Sequence, residues 1–252
     1  MNSAIILSGF GTSSKAIATF DHLEQAVASH FPDHLTLRSF SSRQLDTILR
    51  KRGESHTSLE QTICQLKAQG CKDIVVQSLH LFPGKEFHNL VRRTHKQAID
   101  CKIGMPLLTL PEDYLELANL LAAQVESLPD CAILLLGHGT DHPTWTSYHA
   151  LEKVMRERFG PRIFVGVVEK YPESKHLVTT ISAAGHKKVL ILPLFLFAGM
   201  HFARDIAAPT PTSWRSRLLK AGRKTELCEQ GIAELKSIHH LVIRHILEAQ
   251  QL

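Results

Sequence analysis

The chain repeats itself, and the repeat leaves few folds open. Ala4-Ile5-Ile6-Leu7-Ser8-Gly9-Phe10-Gly11-Thr12 matches Ala132-Ile133-Leu134-Leu135-Leu136-Gly137-His138-Gly139-Thr140 position by position. Further on, Val76-Gln77-Ser78-Leu79-His80-Leu81-Phe82-Pro83-Gly84-Lys85-Glu86-Phe87 matches Ile191-Leu192-Pro193-Leu194-Phe195-Leu196-Phe197-Ala198-Gly199-Met200-His201-Phe202 in the same order. Each segment is an apolar run ending in a glycine-bearing loop, the pattern of a buried strand that turns into a helix. Two ordered matches describe two similar α/β units related by duplication, each a parallel sheet flanked by helices. In open parallel sheets ligands bind at the carboxyl ends of the strands, and the cleft between two such units is a natural site for one.

The remaining elements follow from hydrophobic period and punctuation. Strands are expected at Ala4–Ser8, Leu35–Phe40, Asp73–Leu81, Lys102–Leu107, Ala132–Leu136 and Ile163–Val168. Ile17, Phe20, Leu23 and Val27 mark one helix face, and Leu45, Ile48 and Leu49 suggest a short helix. Thr57 with Glu60 reads as a capping box whose helix Gly70 closes. Further helices are expected from Lys85 to about Ala98 and around Tyr114–Val125. Ser127-Leu128-Pro129-Asp130 marks the expected boundary, giving an amino-terminal domain 1–128 and a carboxy-terminal domain 129–252. Leu235, Ile238, Leu241, Val242 and Ile246 form the apolar stripe of a terminal helix, whose His239, His240 and His245 are expected to be solvated.

Composition narrows the partners. The 252 residues are 44% hydrophobic, which suits a globular protein. No apolar run approaches the roughly 18 residues that cross a bilayer. Met1-Asn2-Ser3-Ala4 enters a strand pattern at once, without the parts of a signal peptide, so a cytoplasmic location is expected. Cys64, Cys71, Cys101, Cys131 and Cys228 are scattered, with no CxxC pair, and read as reduced thiols rather than disulfides or a zinc knuckle. A formal charge of +5 favours acidic ligands, yet it is not gathered in runs and aromatics are only 6%. Neither a nucleic-acid surface nor a membrane partner is expected; a homo-oligomer is compatible with the sequence.

Superimposing the repeats shows where the chemistry is placed. Phe10 corresponds to His138, and Glu86 to His201. Gly137 and Gly139 flank His138, which lets the backbone turn sharply and leaves the imidazole uncovered. A further strand ends in Glu169-Lys170-Tyr171-Pro172. His138, Glu169 and His201 therefore emerge from three strand ends of one sheet, whose strands lie about 4.8 Å apart. Two imidazoles and a carboxylate suit a divalent cobalt, nickel, iron or zinc ion.

These residues carry a resemblance. The Gly-Phe-Gly-Thr-Ser turn at Gly9–Ser13, Gln77-Ser78-Leu79-His80 with Gly84 and Glu86, Gly137–Thr140, Val168–Pro172, Pro193-Leu194 with Gly199 and His201, and Ser213-Trp214 resemble, in order, the anaerobic cobalt chelatases of the class II chelatase family. That family's sirohydrochlorin cobaltochelatases serve cobalamin biosynthesis. The resemblance implies two α/β domains with a tetrapyrrole in the cleft, and the last helix packing back on the first domain. It implies His138, Glu169 and His201 as metal ligands, with the two histidines also serving in proton removal. Glu86, from the place it shares with His201 in the repeat, is expected to guide the incoming cation or accept a pyrrole proton. Phe10, Gly11, Thr12, Ser13, His80 and Gly84 are the expected tetrapyrrole contacts. The metal is substrate, Co2+ in the first place with Fe2+ or Ni2+ as alternatives, and no organic cofactor is implied. Gly9, Met200 and Lys85 depart from the family pattern, where serine, aspartate and an acid are usual; the last two remove negative charge near the metal route.

Insertion sets requirements that these residues meet. The ion must shed water while pyrrole N–H protons leave, and histidine or glutamate near neutral pH can accept them. Three ligands leave open positions, so the ion can be passed on. Lys85, Arg92, Arg93, Lys170 and Arg204 are candidate cations for the carboxylates of sirohydrochlorin. His142 is a candidate neighbour of the ligands, and Trp214 an anchor for the loop after His201. Histidine phosphatases share Gly-His-Gly but want an arginine just before the histidine, which Leu136-Gly137 does not supply. A metal or tetrapyrrole carrier would share the site, and only turnover separates it from an enzyme.

Overall fold

The computed structural model describes residues 2–10, 14–40, 57–97 and 100–251, and of residues 14–18 the backbone alone. Gly11, Thr12 and Ser13, the helix expected around Leu45, Ile48 and Leu49, and Ala98 lie outside the described residues. The chain forms two compact units, Met1–Thr109 with Ser237–Leu252, and Leu110–Lys236.

The first unit runs β1 (Ser3–Gly9), α1 (Ser14–His30), β2 (His34–Phe40), α2 (Leu59–Ala68), β3 (Asp73–Ser78), α3 (Lys85–His95) and β4 (Cys101–Gly104). The second runs α4 (Pro111–Glu126), β5 (Ala132–Gly137), α5 (Thr146–Phe159), β6 (Ile163–Val167), α6 (Leu177–Ala183), β7 (Lys188–Leu194), a π-helical segment (Phe202–Ala207), α7 (Trp214–Lys220) and β8 (Lys224–Leu227). The closing helix α8 (Ile238–Leu247) belongs to the first unit. The sheets have the orders β2-β1-β3-β4 and β6-β5-β7-β8, and every pair is parallel.

The duplication holds at the level of register. Ala4 lies opposite Ile74 and Ile6 opposite Val76, while Ala132 lies opposite Val189 and Leu134 opposite Ile191. These are the pairs that the sequence repeat equates. The loops agree as well: Gly84 N donates to Phe82 O at 2.7 Å, and Gly199 N to Phe197 O at 2.9 Å. Leu107 N donates to His80 O and Ile232 N to Phe195 O, at 2.9 and 2.8 Å. Helices on both faces of a parallel sheet leave its central strands no polar side, which is why Ala132–Leu136 is apolar throughout and fully buried.

Several details differ from the sequence expectation. The capping box is Ser58 with Gln61, one residue beyond Thr57 and Glu60, and both reciprocal bonds are made. Gly70 takes a φ of 81° just past that helix, as a chain leaving a helix to the left requires. The units divide between Thr109 and Leu110, ahead of α4, rather than at Ser127–Asp130, because α4 packs on α5. β4 stops at Gly104, and β8 was not anticipated at all. In α8, Ile238, Leu241, Val242 and Ile246 are buried, and Gln250 exchanges backbone bonds with Ile103 on β4. His245, expected in solvent, is buried at 1% exposure, because its position falls on the packed stripe of α8. Cys71, Cys101 and Cys131 are buried, and all five thiols are free. Among the described residues, no helix is long and apolar enough to cross a membrane.

Candidate metal centre

His138 follows β5, the second of the four strands in its sheet. Both glycines beside it are forced by close neighbours. A Cβ on Gly137 would meet the ring of Tyr148 on α5, at 2.5 Å from the nearest atom. Gly139 has a φ of 88°, and a Cβ there would run into the carbonyl oxygen of Glu169. Tyr148 Oη accepts a 3.0 Å bond from Gly139 N, so the aromatic ring that excludes a side chain at 137 also pins the turn at 139. Burial pushes the Tyr148 hydroxyl up to about 12, and it keeps its proton.

Glu169 is carried to His138 by continued pairing past the strand ends. Val168 N donates to Gly137 O at 2.9 Å and Glu169 N to His138 O at 3.0 Å. Thr140 and Tyr171 then exchange backbone bonds of 3.1 and 3.3 Å. The chain reverses there through Lys170, which takes a φ of 57° and sets its ammonium 3.7 Å from Asp141. These bonds fix the backbone, and the Glu169 side chain is 43% exposed.

His201 stands in the first turn after the loop that follows β7, not on the strand itself. The π-helical segment begins immediately after it, a widened turn of the kind often found at functional sites. Phe202 and Ile206 enter the core with Trp214, which anchors the far end of the segment. His201 Nδ1 lies 2.9 Å from Asp205 Oδ2, and its ring stacks on Phe195 at 6.3 Å between centroids. Asp205 is held in place by Arg204, whose Nε and Nη2 donate to its two oxygens at 2.7 and 2.9 Å. Those bonds, with a smaller contribution from His201, hold the Asp205 carboxyl below the usual carboxylate range.

The ligand atoms of His138, Glu169 and His201 all lie within 4.8 Å of one another. The two imidazole rings meet edge to face, 4.5 Å between centroids. Their tautomers are set by the nearest acceptors: His138 Nδ1 lies 3.1 Å from Gly139 O, and His201 Nδ1 faces the Asp205 carboxylate at 2.9 Å, nearer than the Arg204 Nη2 at 3.4 Å. Both Nδ1 atoms therefore donate, and each Nε2 keeps a free lone pair. Two such nitrogens and a carboxylate oxygen at this separation can hold one divalent ion.

The first unit keeps the same places with other residues. Phe10 is 52% exposed and meets His80 edge to face at 6.0 Å. The repeat thus exchanges residues: histidine and phenylalanine at 138 and 195 become phenylalanine and histidine at 10 and 80. Ser78 Oγ bonds His80 Nδ1 at 2.9 Å, and burial holds the imidazole down at about 4. Gly84 is the N-cap of α3 and Glu86 lies half-buried in its first turn, where His201 lies in the other unit. The expected contacts Gly11, Thr12 and Ser13 fall outside the described residues. Of the candidate cations, Arg93 is taken up by a bidentate pair with Glu60, at 2.6 and 2.8 Å, and Arg92 bonds Asn89. His142 caps the turn before α5 by accepting from Thr144 N. Sequence reading missed Asp205 and Tyr148. The four-residue spacing from His201 to Asp205 was the available signal, since residues so spaced share a helix face.

The chain matches the family model described as cobalt chelatase (CbiK) over residues 3–251. It is 31% identical over 257 residues to the sirohydrochlorin cobaltochelatase of Salmonella typhimurium, an alignment covering 99% of this chain and 97% of the relative. It is 28% identical to the sirohydrochlorin cobaltochelatase CbiKC of Nitratidesulfovibrio vulgaris, covering 97% of this chain and 89% of the relative. The solved structure of SirB from Bacillus subtilis with Fe3+ is similar with a TM-score of 0.73 at 15% identity, covering 98% of this chain and 95% of that one. At that identity the likeness speaks for the fold alone. A family match from one end of the chain to the other leaves one assignment: the chain belongs to the cobalt chelatase (CbiK) family.

Proposed function

We propose that the chain inserts Co2+ into sirohydrochlorin, with His138, Glu169 and His201 as the residues that receive the ion. The observation that carries this reading is the convergence of three ligand atoms within 4.8 Å from three separate strand-end segments. The two relatives named above, which share nearly the full length, are both named sirohydrochlorin cobaltochelatases. The donor set is borderline in softness and accepts cobalt, nickel and iron alike, so preference among them rests on measured turnover.

Three protein ligands leave coordination positions for water and then for the macrocycle nitrogens. As the ion passes to the tetrapyrrole, His138 and His201 regain free Nε2 lone pairs, and each can accept a pyrrole proton. Asp205 stabilises the imidazolium that forms on His201, because it accepts the Nδ1 proton already. Glu86 is proposed as a further proton acceptor or guide for the cation, on the strength of the place it shares with His201 in the repeat. Phe10, Gly11, Thr12, Ser13, His80 and Gly84 are proposed to contact the tetrapyrrole. The test is to follow the sirohydrochlorin absorbance without oxygen on adding cobalt, nickel and iron(II) in turn. Catalysed insertion of Co2+ at the highest rate is expected; equal rates with and without the protein would overturn the proposal.

A further inference from the structure

Arg204 stands at the metal site without being able to serve as a ligand. A guanidinium offers donors only and keeps its charge at any working pH. Its Nη2 lies 3.5 Å from Glu169 Oε1 and 3.4 Å from His201 Nδ1. Its fork is held on both oxygens of Asp205, the carboxylate that also orients His201. The same positive charge therefore faces two carboxylates, one of which belongs to the proposed ligand set. The Arg204 and Glu169 side chains are 57% and 43% exposed, so Glu169 can turn away from the guanidinium while the fork stays on Asp205.

A divalent ion on Glu169 would come within a few ångströms of this guanidinium. Three positive charges, two on the ion and one on Arg204, cannot share one carboxylate without repulsion. We propose that Arg204 is the resident counter-ion of the empty ligand set: it neutralises Glu169 before metal arrives, gives up Glu169 when a divalent cation binds, and thereby weakens the site's hold on an ion that must be passed on. The inference rests on the reading of His138, Glu169 and His201 as the metal ligands. It adds a reason why such a site transfers metal rather than stores it. Arg204 keeps Asp205 throughout, so His201 stays oriented while Glu169 changes partner.

The test is a titration of the full chain with CoCl2, without tetrapyrrole, read by the visible absorption of bound Co2+ and by calorimetry. Coulomb repulsion between a dication and a unit charge about 5 Å away in water corresponds to about tenfold in Kd. Arg204→Gln is expected to tighten Co2+ binding by about that factor at low ionic strength, and the gain should shrink to about threefold or less near 1 M salt, where screening is strong. Arg204→Lys keeps the charge and should stay within about threefold of the parent. Unchanged or weaker binding by Arg204→Gln would overturn the inference, as would equal tightening by Arg204→Lys. If instead the parent fails to bind Co2+, or binds it equally well after His138→Ala, the metal-site reading itself falls and takes this inference with it.

Discussion

A histidine holds a metal only through a nitrogen that carries no proton, so its other nitrogen needs a fixed acceptor. For His201 that acceptor is Asp205, four residues on along a widened helical turn. Asp205→Ala should therefore weaken Co2+ binding by about 10- to 100-fold with little change in fold, the opposite sign from Arg204→Gln. A titration of both variants checks the pair of directions. The His80 imidazole makes a separate prediction. Its folded value of about 4 lies below the ordinary 6.5 because burial disfavours the charged form. The unfolded chain then binds more protons between these values, so the contribution of His80 to stability is complete above pH 6.5 and is lost as pH falls towards 4. The loss amounts to as much as ~3 kcal/mol. His80→Phe, which installs the residue that the second unit carries at 195, should flatten that acid slope in denaturant melts; an unchanged slope would show that other groups set it.

At the scale of elements, the site depends on how strand ends are joined, and this decided what could be read from sequence. The strands β1, β3, β5, β6 and β7 announce themselves as apolar runs because they are buried on both faces. β8 does not: Lys224-Thr225-Glu226-Leu227 is a short polar edge with alternate residues exposed, and nothing in its composition separates it from a loop. The start of the unit that contains α4 was placed too late for a related reason. Ser127-Leu128-Pro129-Asp130 carries the turn residues of a linker, but membership of a unit is set by packing, and α4 packs on α5. The two candidate histidines were legible because the repeat set them opposite Phe10 and Glu86, and Glu169 because it follows a strand run; the π-helical turn that aims Asp205 at His201 was not, since its sequence reads as ordinary helix. The turn at His138 offers a direct check of this element. Tyr148→Phe leaves the buried Gly139 N–H without its acceptor and should cost about 1–3 kcal/mol. Gly139→Ala should cost at least ~1–2 kcal/mol for its left-handed φ alone, with a further loss from the collision at Glu169 O. Chemical denaturation of both variants measures these losses. A fully stable Gly139→Ala would contradict the described turn.

For the whole molecule, duplication followed by divergence explains how one unit came to hold all three candidate ligands. Both units keep the sheet order, the register and the loop bonds, yet Phe10 and Glu86 stand where His138 and His201 stand in the other. If both halves take part in insertion, Glu86→Gln should slow it by about 10²-fold or more with stability nearly unchanged. If Glu86 merely favours the start of α3, the same variant should lose roughly 0.3–1 kcal/mol of stability and little activity. The central claim is insertion through His138, Glu169 and His201, and anaerobic single-turnover insertion of Co2+ into sirohydrochlorin by the parent, His138→Ala and His201→Ala tests it most directly. With circular dichroism confirming the fold of each, both variants should lose about 10²-fold or more of the parent's rate. Parent-like rates in both folded variants would contradict it.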